Sequence, residues 1–484
     1  MILDLAVQSV LGLLIAAPLL VPLFEYSLLS TRSMLGAEDV LIYSLPIEYL
    51  LGLLFPNNEG LHEWVLYSGG IVILLAAASM AAKMSRNKQF WMGVFLVSVI
   101  IALGSEIPGS SFIASLPLVS LFRVPSRALF LTGFSLAALA GYGVETLISL
   151  PGKEITRKIY IILLILLGFS ISLQVSFFVF QGEILQPMVW GTTGILLASV
   201  WIWLWLNVKQ MPVGLWISGL FVLALLDLGV VDLNSFQGKS KSQVLVEGEA
   251  VAEYLSLQPG LFRTYSPSYS VPQQTSVRYG IQTIDGVDPL QYLNYVKFMD
   301  EATGVPRESY SVTLPPYADG EPKSDNLNYT PNAEKLGLLN VGYVISEYEI
   351  NARDLNLVAE IQDSFVYENM RFMPRAWMSG ETRVIDNASS VEIIESSPNH
   401  MVFAATGPGS LTISEISYPG WKVNVDGVDE QLSTRYGLLM GVDLSPGRHE
   451  VELFFRPLSV VFGVILFLIG LISLVLMIKR DYPN

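Results

Sequence analysis

This sequence of 484 residues has no cysteine, three histidines and only 15% charged residues. Without cysteine there are no disulfides, no thiolate–zinc sites and no thiol nucleophile, and the redox compartment stays open. His62, His400 and His449 are far apart in the chain, which speaks against a metal cage built on imidazole. Positive charge is scarce as well: 28 Lys and Arg face 43 Asp and Glu, a net charge of −15 that argues against nucleic acid as a partner. The imbalance is local. Residues 232–457 hold 30 acids and 16 bases, whereas the remainder holds 13 and 12. What the chain has in abundance is uncharged apolar runs. With 52% hydrophobic residues and a mean hydropathy of +0.50, it falls among polytopic membrane proteins.

Apolar spans are expected near 5–24, 66–82, 90–104, 128–150, 159–180, 190–206, 212–231 and 458–478. The third is short, and the first contains Pro18 and Pro22. Lys83/Arg86/Lys88, Lys153/Arg157/Lys158, Lys209 and Lys479/Arg480 fall on one side of these spans, whereas the other side holds only Arg32, Arg123 and Arg127. The positive-inside rule then puts both termini in the cytoplasm and residues 232–457 outside. Trp190, Trp201, Trp203 and Trp205 fit interfacial anchors. Leu45–Phe55 is apolar but too short to cross. It reads as a segment that rests at the interface or dips in and back, and residues 105–127 look alike.

The fold class expected is therefore a polytopic α-helical membrane protein of about eight transmembrane helices, with an extracytoplasmic α/β plus β-sandwich domain inserted before the last helix. Residues 1–231 form the membrane bundle, 232–378 an α+β domain, 379–457 a β-sandwich and 458–478 the final span. Strands are expected near 391–395, 400–405, 411–416, 421–425, 437–443 and 448–455, separated by turn signals such as Ser445-Pro446-Gly447. The β segment runs into the last span with no linker.

Four stretches carry a resemblance: FRVPSRALFLTGFSLAALAGYGVETL (122–147), LNVGYVISE (339–347), VYENMRFMPRAWM (366–378) and YPGWKVNVDG with LSPGRHEVELFFRPLS (418–459). Together they resemble the YfhO family of bacterial membrane proteins, which is similar to the C-type glycosyltransferases. The resemblance implies a polyprenyl-phosphate sugar donor, an envelope polymer as acceptor, and contact with membrane lipid. It also implies that this chain matches the later part of the family pattern, because the acidic first outer loop of such enzymes has no counterpart here. Enzymatic activity is thus conditional. The alternative is a non-catalytic envelope protein whose outer domain binds a polymer or a protein. A transporter ranks below both, because intramembrane charge is sparse and no inverted repeat is visible.

A transferase of this kind needs a cation for the departing phosphate and a carboxylate to take the acceptor proton. Arg123 and Arg127, four apart at an apolar boundary, are the phosphate candidates; otherwise they snorkel at a span end. Glu106, Glu48 and Asp39 are the loop carboxylates available as a base, none within a motif. Asp227 lies inside a span, where it is either functional or paired with an Arg of the bundle. Trp421 and Tyr418 could stack on a sugar ring or belong to the β core. Asp285-Gly-Val-Asp288 and Asp426-Gly-Val-Asp429 read as Asx turns rather than calcium loops, which need 6–8 oxygens. No cofactor is evident, and a need for a divalent metal is left open. The sequons at Asn328 and Asn387 carry no weight in a bacterial-type chain.

Overall fold

The computed structural model describes the chain apart from residues 1, 57–60, 117–118, 120–121, 150–151, 183–184, 209, 236–237, 239, 242–245, 308–309, 380–390 and 482–484. The sequon at Asn387 and the basic residue Lys209 lie outside the described residues. The helices of ten or more residues are α1 (Ile2–Leu29), α2 (Gly70–Ser79), α3 (Arg86–Leu103), α4 (Leu129–Ile148), α5 (Lys153–Gln181), α6 (Gln186–Asn207), α7 (Val213–Ser235), α8 (Leu293–Thr303) and α9 (Leu458–Asp481). Among the described residues six stretches are long and apolar enough to cross a membrane: α1, α3, α4, α5, α6 and α9. Their outward side chains are apolar too. Leu164, Phe130 and Phe180 are 70, 78 and 86% exposed, a surface that suits lipid and not water.

One of the eight expected spans is shorter in the structure: α2 is only ten residues long, whereas the helix α7 covers the stretch expected at 212–231. The hydropathy of 66–82 does not reveal that residues 65–69 are extended, with Gly69 at φ +91°. The turn there is fixed by close approach. A Cβ on Gly70 would stand 2.8 Å from the backbone nitrogen of Ile195, and one on Gly143 in α4 would stand 1.9 Å from the carbonyl oxygen of Leu75. Conversely, α3 is longer than its apolar core. It starts at Arg86, where the Ser85 hydroxyl caps the Lys88 N–H at 3.3 Å. α1 runs unbroken through Pro18 and Pro22.

By contacts the chain divides into two units, residues 35–238 and residues 1–34 with 239–484. The sequence reading grouped α1 with the other N-terminal helices, but its packing partner is α9. Gly463 and Gly470 let the two backbones meet, since a Cβ at Gly463 would be 2.7 Å from the Ala17 carbonyl oxygen. At the end of α1 the Tyr26 hydroxyl donates to Leu290 O (2.8 Å), Thr31 N–H donates to Gln291 O (2.9 Å), and Ser30 bridges Tyr292. The first helix is thereby stitched to the segment before α8.

In that unit, β1 (Arg263–Tyr265), β2 (Gln282–Thr283), β5 (Val341–Ser346), β6 (Leu355–Ile361) and β7 (Ser364–Asn369) form a mixed sheet in the order β2-β1-β5-β7-β6. β3 (Gly286–Val287) and β4 (Thr313–Leu314) pair separately as a two-stranded sheet. The following β-rich region has β8 (Ala376–Met378), β9 (Glu392–Ser397), β10 (His400–Ile416), β11 (Trp421–Val425), β12 (Val428–Glu430), β13 (Ser433–Arg435) and β14 (Leu439–Phe455) in one sheet. Four of the expected short strands are in fact two strands of 17 residues each. Gly407-Pro408-Gly409 and Ser445-Pro446-Gly447 are not hairpin turns. They face each other as a paired irregularity where both long strands shift register. Residues from before and after that point, such as Phe403, Leu411, Met440 and Val451, share one core.

Arg375, within the P-R-A stretch of the resemblance, joins the two sheets. Its Nη1 and the Nη2 of Arg263 both meet Oε1 of Glu415, at 2.8 and 2.6 Å, and Arg375 also reaches the side chain of Gln282. At 7% exposure this guanidinium is a buried cation held by the Glu415 carboxylate and the Gln282 side chain.

Candidate functional site

In the 35–238 unit, the candidate site is built on the apolar segment that the sequence left between resting at an interface and dipping inward. Leu45, fully buried, donates its N–H to Ala102 O (2.7 Å), and the Ser44 hydroxyl accepts from Ser105 N–H (3.0 Å). At the other end the Leu54 carbonyl presses on Gly191 of α6, where a Cβ would be 2.2 Å away. Pinned at both ends, the 3-10 segment Ile47–Leu53 turns Ile47, Leu50, Leu51 and Leu54 onto a cavity of about 510 Å³. The remaining walls come from α2 (Ile73, Ala76, Ala77, Met80), α3 (Met92, Phe95), α4 (Leu136, Leu139) and α5 (Leu166, Phe169). Every lining residue is apolar, so the cavity suits hydrocarbon and offers nothing to a polar ligand.

Tyr49, Leu50 and Leu53 of the same segment also pack into a second cluster with Trp64, Leu66, Ala128 and Leu129. That cluster carries the polar groups. Arg127 Nη2 lies 3.7 Å from Glu63 Oε1; the arginine is 64% exposed and the glutamate 15%. Arg123 sits over the Tyr43 ring at 6.0 Å, and Tyr43 O accepts from Trp64 Nε1 (3.2 Å). Arg123 therefore meets Tyr43, which precedes the cavity-walling segment in the chain, and Arg127 meets Glu63, which follows it. Glu63 was not foreseen, because a Glu in a loop rich in polar residues has no pattern to mark it. Its neighbour could be found only in three dimensions.

The expected bases do not gather there. Asp39 Oδ2 accepts from Gly36 N–H (3.0 Å) and so caps a short helix, Ala37–Leu41. Glu48 and Glu106 are exposed, and neither is ion-paired among the described residues. Phe112, Ile113 and Phe122 are also exposed, at 74, 54 and 73%, so the 105–127 stretch presents apolar side chains outward.

Asp227 is 7% exposed, and its partner is not an arginine. Its Oδ1 accepts from the Tyr67 hydroxyl (2.6 Å) and its Oδ2 from Gly70 N–H (2.7 Å). It caps the first turn of α2. The opposite end is held by Lys88, expected as a loop charge but buried, which donates from Nζ to Ser79 O (2.9 Å). A ten-residue helix is thus bracketed by an anion at its positive end and a cation at its negative end. Three of the tryptophans expected at interfaces also tie neighbouring helices together. Trp205 stacks on the buried Trp216 (4.7 Å) and donates to Leu147 O (2.9 Å), while Trp201 donates to Trp216 O (3.0 Å) and Trp190 to Asp227 O (3.3 Å). Trp203 alone of the four is more than half exposed.

Tyr418 and Trp421 lie in the other unit, on a common groove of about 320 Å³ with Tyr292, Asn294 and Thr434. Trp421 is half-buried and packs against the β core. Among the aspartates of the two turn motifs, Asp288 Oδ1 accepts from Leu290 N–H (2.8 Å), an Asx turn, and Asp426 Oδ1 accepts from Glu450 N–H (2.9 Å). No group of three or more His, Cys, Asp or Glu side chains among the described residues is placed to hold a metal ion. No known protein family, curated protein or solved structure matches this chain.

Proposed function

We propose that this chain is a bacterial cytoplasmic-membrane protein of the YfhO kind, working as part of an envelope glycosyltransferase that draws on a polyprenyl-phosphate sugar. In this reading both ends are cytoplasmic, residues 232–457 face outward as an α/β plus β-sandwich domain, and an envelope polymer is the acceptor. The observation that carries it is the wholly apolar cavity walled by Ile47–Leu53, with Arg123 on Tyr43 before that segment and Arg127 on Glu63 after it. An isoprenoid tail would occupy the cavity and a guanidinium would meet the phosphate. In the transfer, an acceptor hydroxyl attacks the anomeric carbon, the bond from that carbon to the phosphate oxygen breaks, and polyprenyl phosphate leaves, its phosphate oxygen taking up the hydroxyl proton. Glu63 orients Arg127.

Arg123→Ala and Arg127→Ala are expected to abolish sugar addition to the polymer at normal membrane levels. Unchanged glycosylation in both would remove the site. Protease shaving of intact cells tests the orientation: cleavage within 232–457 is expected, and cleavage only after permeabilisation would invert it.

The dispersal of Asp39, Glu48 and Glu106 favours a second reading, a non-catalytic membrane-anchored protein whose acidic outer segment binds a polymer or protein partner. The two part on gene deletion. The second predicts unchanged polymer sugar content, and the first predicts its loss.

A further inference from the structure

We infer that the groove bearing Tyr418 and Trp421 is a binding site for a neutral sugar ring, a conclusion independent of whether the helices 35–238 support transfer. At about 320 Å³ it lies at the small end of the range of ligand pockets, ~300–1,000 Å³. Its lining contains no Lys, Arg, Asp or Glu. A phosphate or carboxylate ligand would find no counter-charge there, whereas a polyol needs none.

What the groove offers is aromatic faces and uncharged hydrogen-bonding groups. Tyr292 and Tyr418 meet edge to face at 5.6 Å. Tyr26 and Phe455 hold Tyr418 from behind, at 5.9 and 6.0 Å, and Phe455 holds Trp421 at 5.3 Å. Rings fixed in this way present area for the C–H face of a pyranose with little ordering cost. The Ser417 and Thr434 hydroxyls are 2.9 Å apart, and Asn294 Nδ2 donates to the Tyr292 hydroxyl (3.3 Å), leaving its amide oxygen for a ligand hydroxyl.

Placement narrows the source. Gly420, at φ +112°, sits directly on Pro457, where a Cβ would be 2.8 Å from the proline Cα, and its carbonyl accepts from Arg456 N–H (2.8 Å). The groove therefore opens beside the first residue of α9. Two sources share the chemistry there, a sugar carried on a lipid and a sugar of a soluble polymer.

The test is hydrogen exchange across residues 417–438 of the full chain in lipid nanodiscs. One arm adds soluble maltotriose or N,N′-diacetylchitobiose, and the other builds glucosyl diacylglycerol into the disc. Protection in the first arm assigns the polymer source, and protection in the second alone assigns the lipid-borne one. Asn294→Trp, at an exposed position on the rim, is expected to weaken protection at least ~tenfold, and Thr434→Ala several-fold. Absence of protection in both arms would overturn the inference. So would protection unchanged by Asn294→Trp, or equal protection by glycerol 3-phosphate.

Discussion

Replacing Asp227 by alanine tests the account of α2 most directly. The side chain satisfies two donors, the Tyr67 hydroxyl and Gly70 N–H, and leaves both unpaired when removed. Hydrogen bonds to charged groups are worth ~1.5–3 kcal/mol each in soluble proteins. Interhelical bonds within membranes measure less, averaging ~0.6 kcal/mol with a maximum near ~1.7. The lower scale applies to the Tyr67 bond, and the Gly70 bond is the helix cap, whose loss costs ~0.5–2 kcal/mol. Asp227→Ala should therefore cost about 1–4 kcal/mol. Asp227→Asn, which keeps one acceptor but loses the charge at the helix start, should cost about half as much, since the dipole accounts for ~0.3–1 kcal/mol and up to ~2 when buried. Lys88→Met removes the opposite bracket and should act in the same direction. The assay is reversible unfolding in mixed micelles, read as a midpoint shift at a constant denaturant slope. If Asp227→Ala unfolds with the midpoint of the parent, α2 does not depend on its bracketing charges and the reasoning fails.

The β-rich region should lose stability as pH rises past neutrality. His400 lies between Glu395 (3.0 Å) and Glu452 (2.8 Å), and His449 Nδ1 meets Asp426 (2.6 Å); these hydrogen bonds raise both imidazoles above 6.5. The stabilisation is complete below pH 6.5 and disappears as pH passes the raised values. Thermal unfolding of His400→Gln/His449→Gln should show a flatter profile between pH 6 and 8, and an unchanged slope would refute this. Asp285 behaves in the opposite chemical sense with the same sign. Burial pushes its carboxyl up to about 7, so the folded state holds a proton that the unfolded chain has released, and stability falls from pH 3.8 upward through 7. Asp285→Asn, which keeps an acceptor for Ser266 N–H, should raise the unfolding temperature at pH 8 and leave it nearly unchanged at low pH. Gly143→Leu should separate α2 from α4 and cost at least ~1–3 kcal/mol, measured by the same micellar unfolding, because even its Cβ lands on the Leu75 carbonyl.

Long spans were legible from the sequence because a helix in lipid satisfies its own backbone whatever surrounds it, so α4, α5, α6 and α9 follow hydropathy closely. Where a neighbour decides the outcome, hydropathy was mute. The start of α2 is set by contact with Ile195 and Asp227, over a hundred residues away. The partner of α1 is set by Gly463 and Gly470 at the far end of the sequence. Gly-Pro-Gly and Ser-Pro-Gly look alike whether they close a hairpin or bend a long strand, so β10 and β14 were divided. For the candidate site, Arg123 and Arg127 were visible as rare cations in an apolar boundary. Glu63 and the cavity wall depend on how the loop 35–69 folds back, and no local period records that.

The pairing of α1 with α9 has a consequence for synthesis. The helix that α1 packs against is made hundreds of residues after it. At ~5–20 residues per second the delay is tens of seconds. During that time the 35–238 helices can close on neighbours already inserted, while the glycine-matched face of α1 waits for its partner. A chain halted before Leu458 should therefore leave α1 without its partner helix, and membrane quality control would have that helix to recognise.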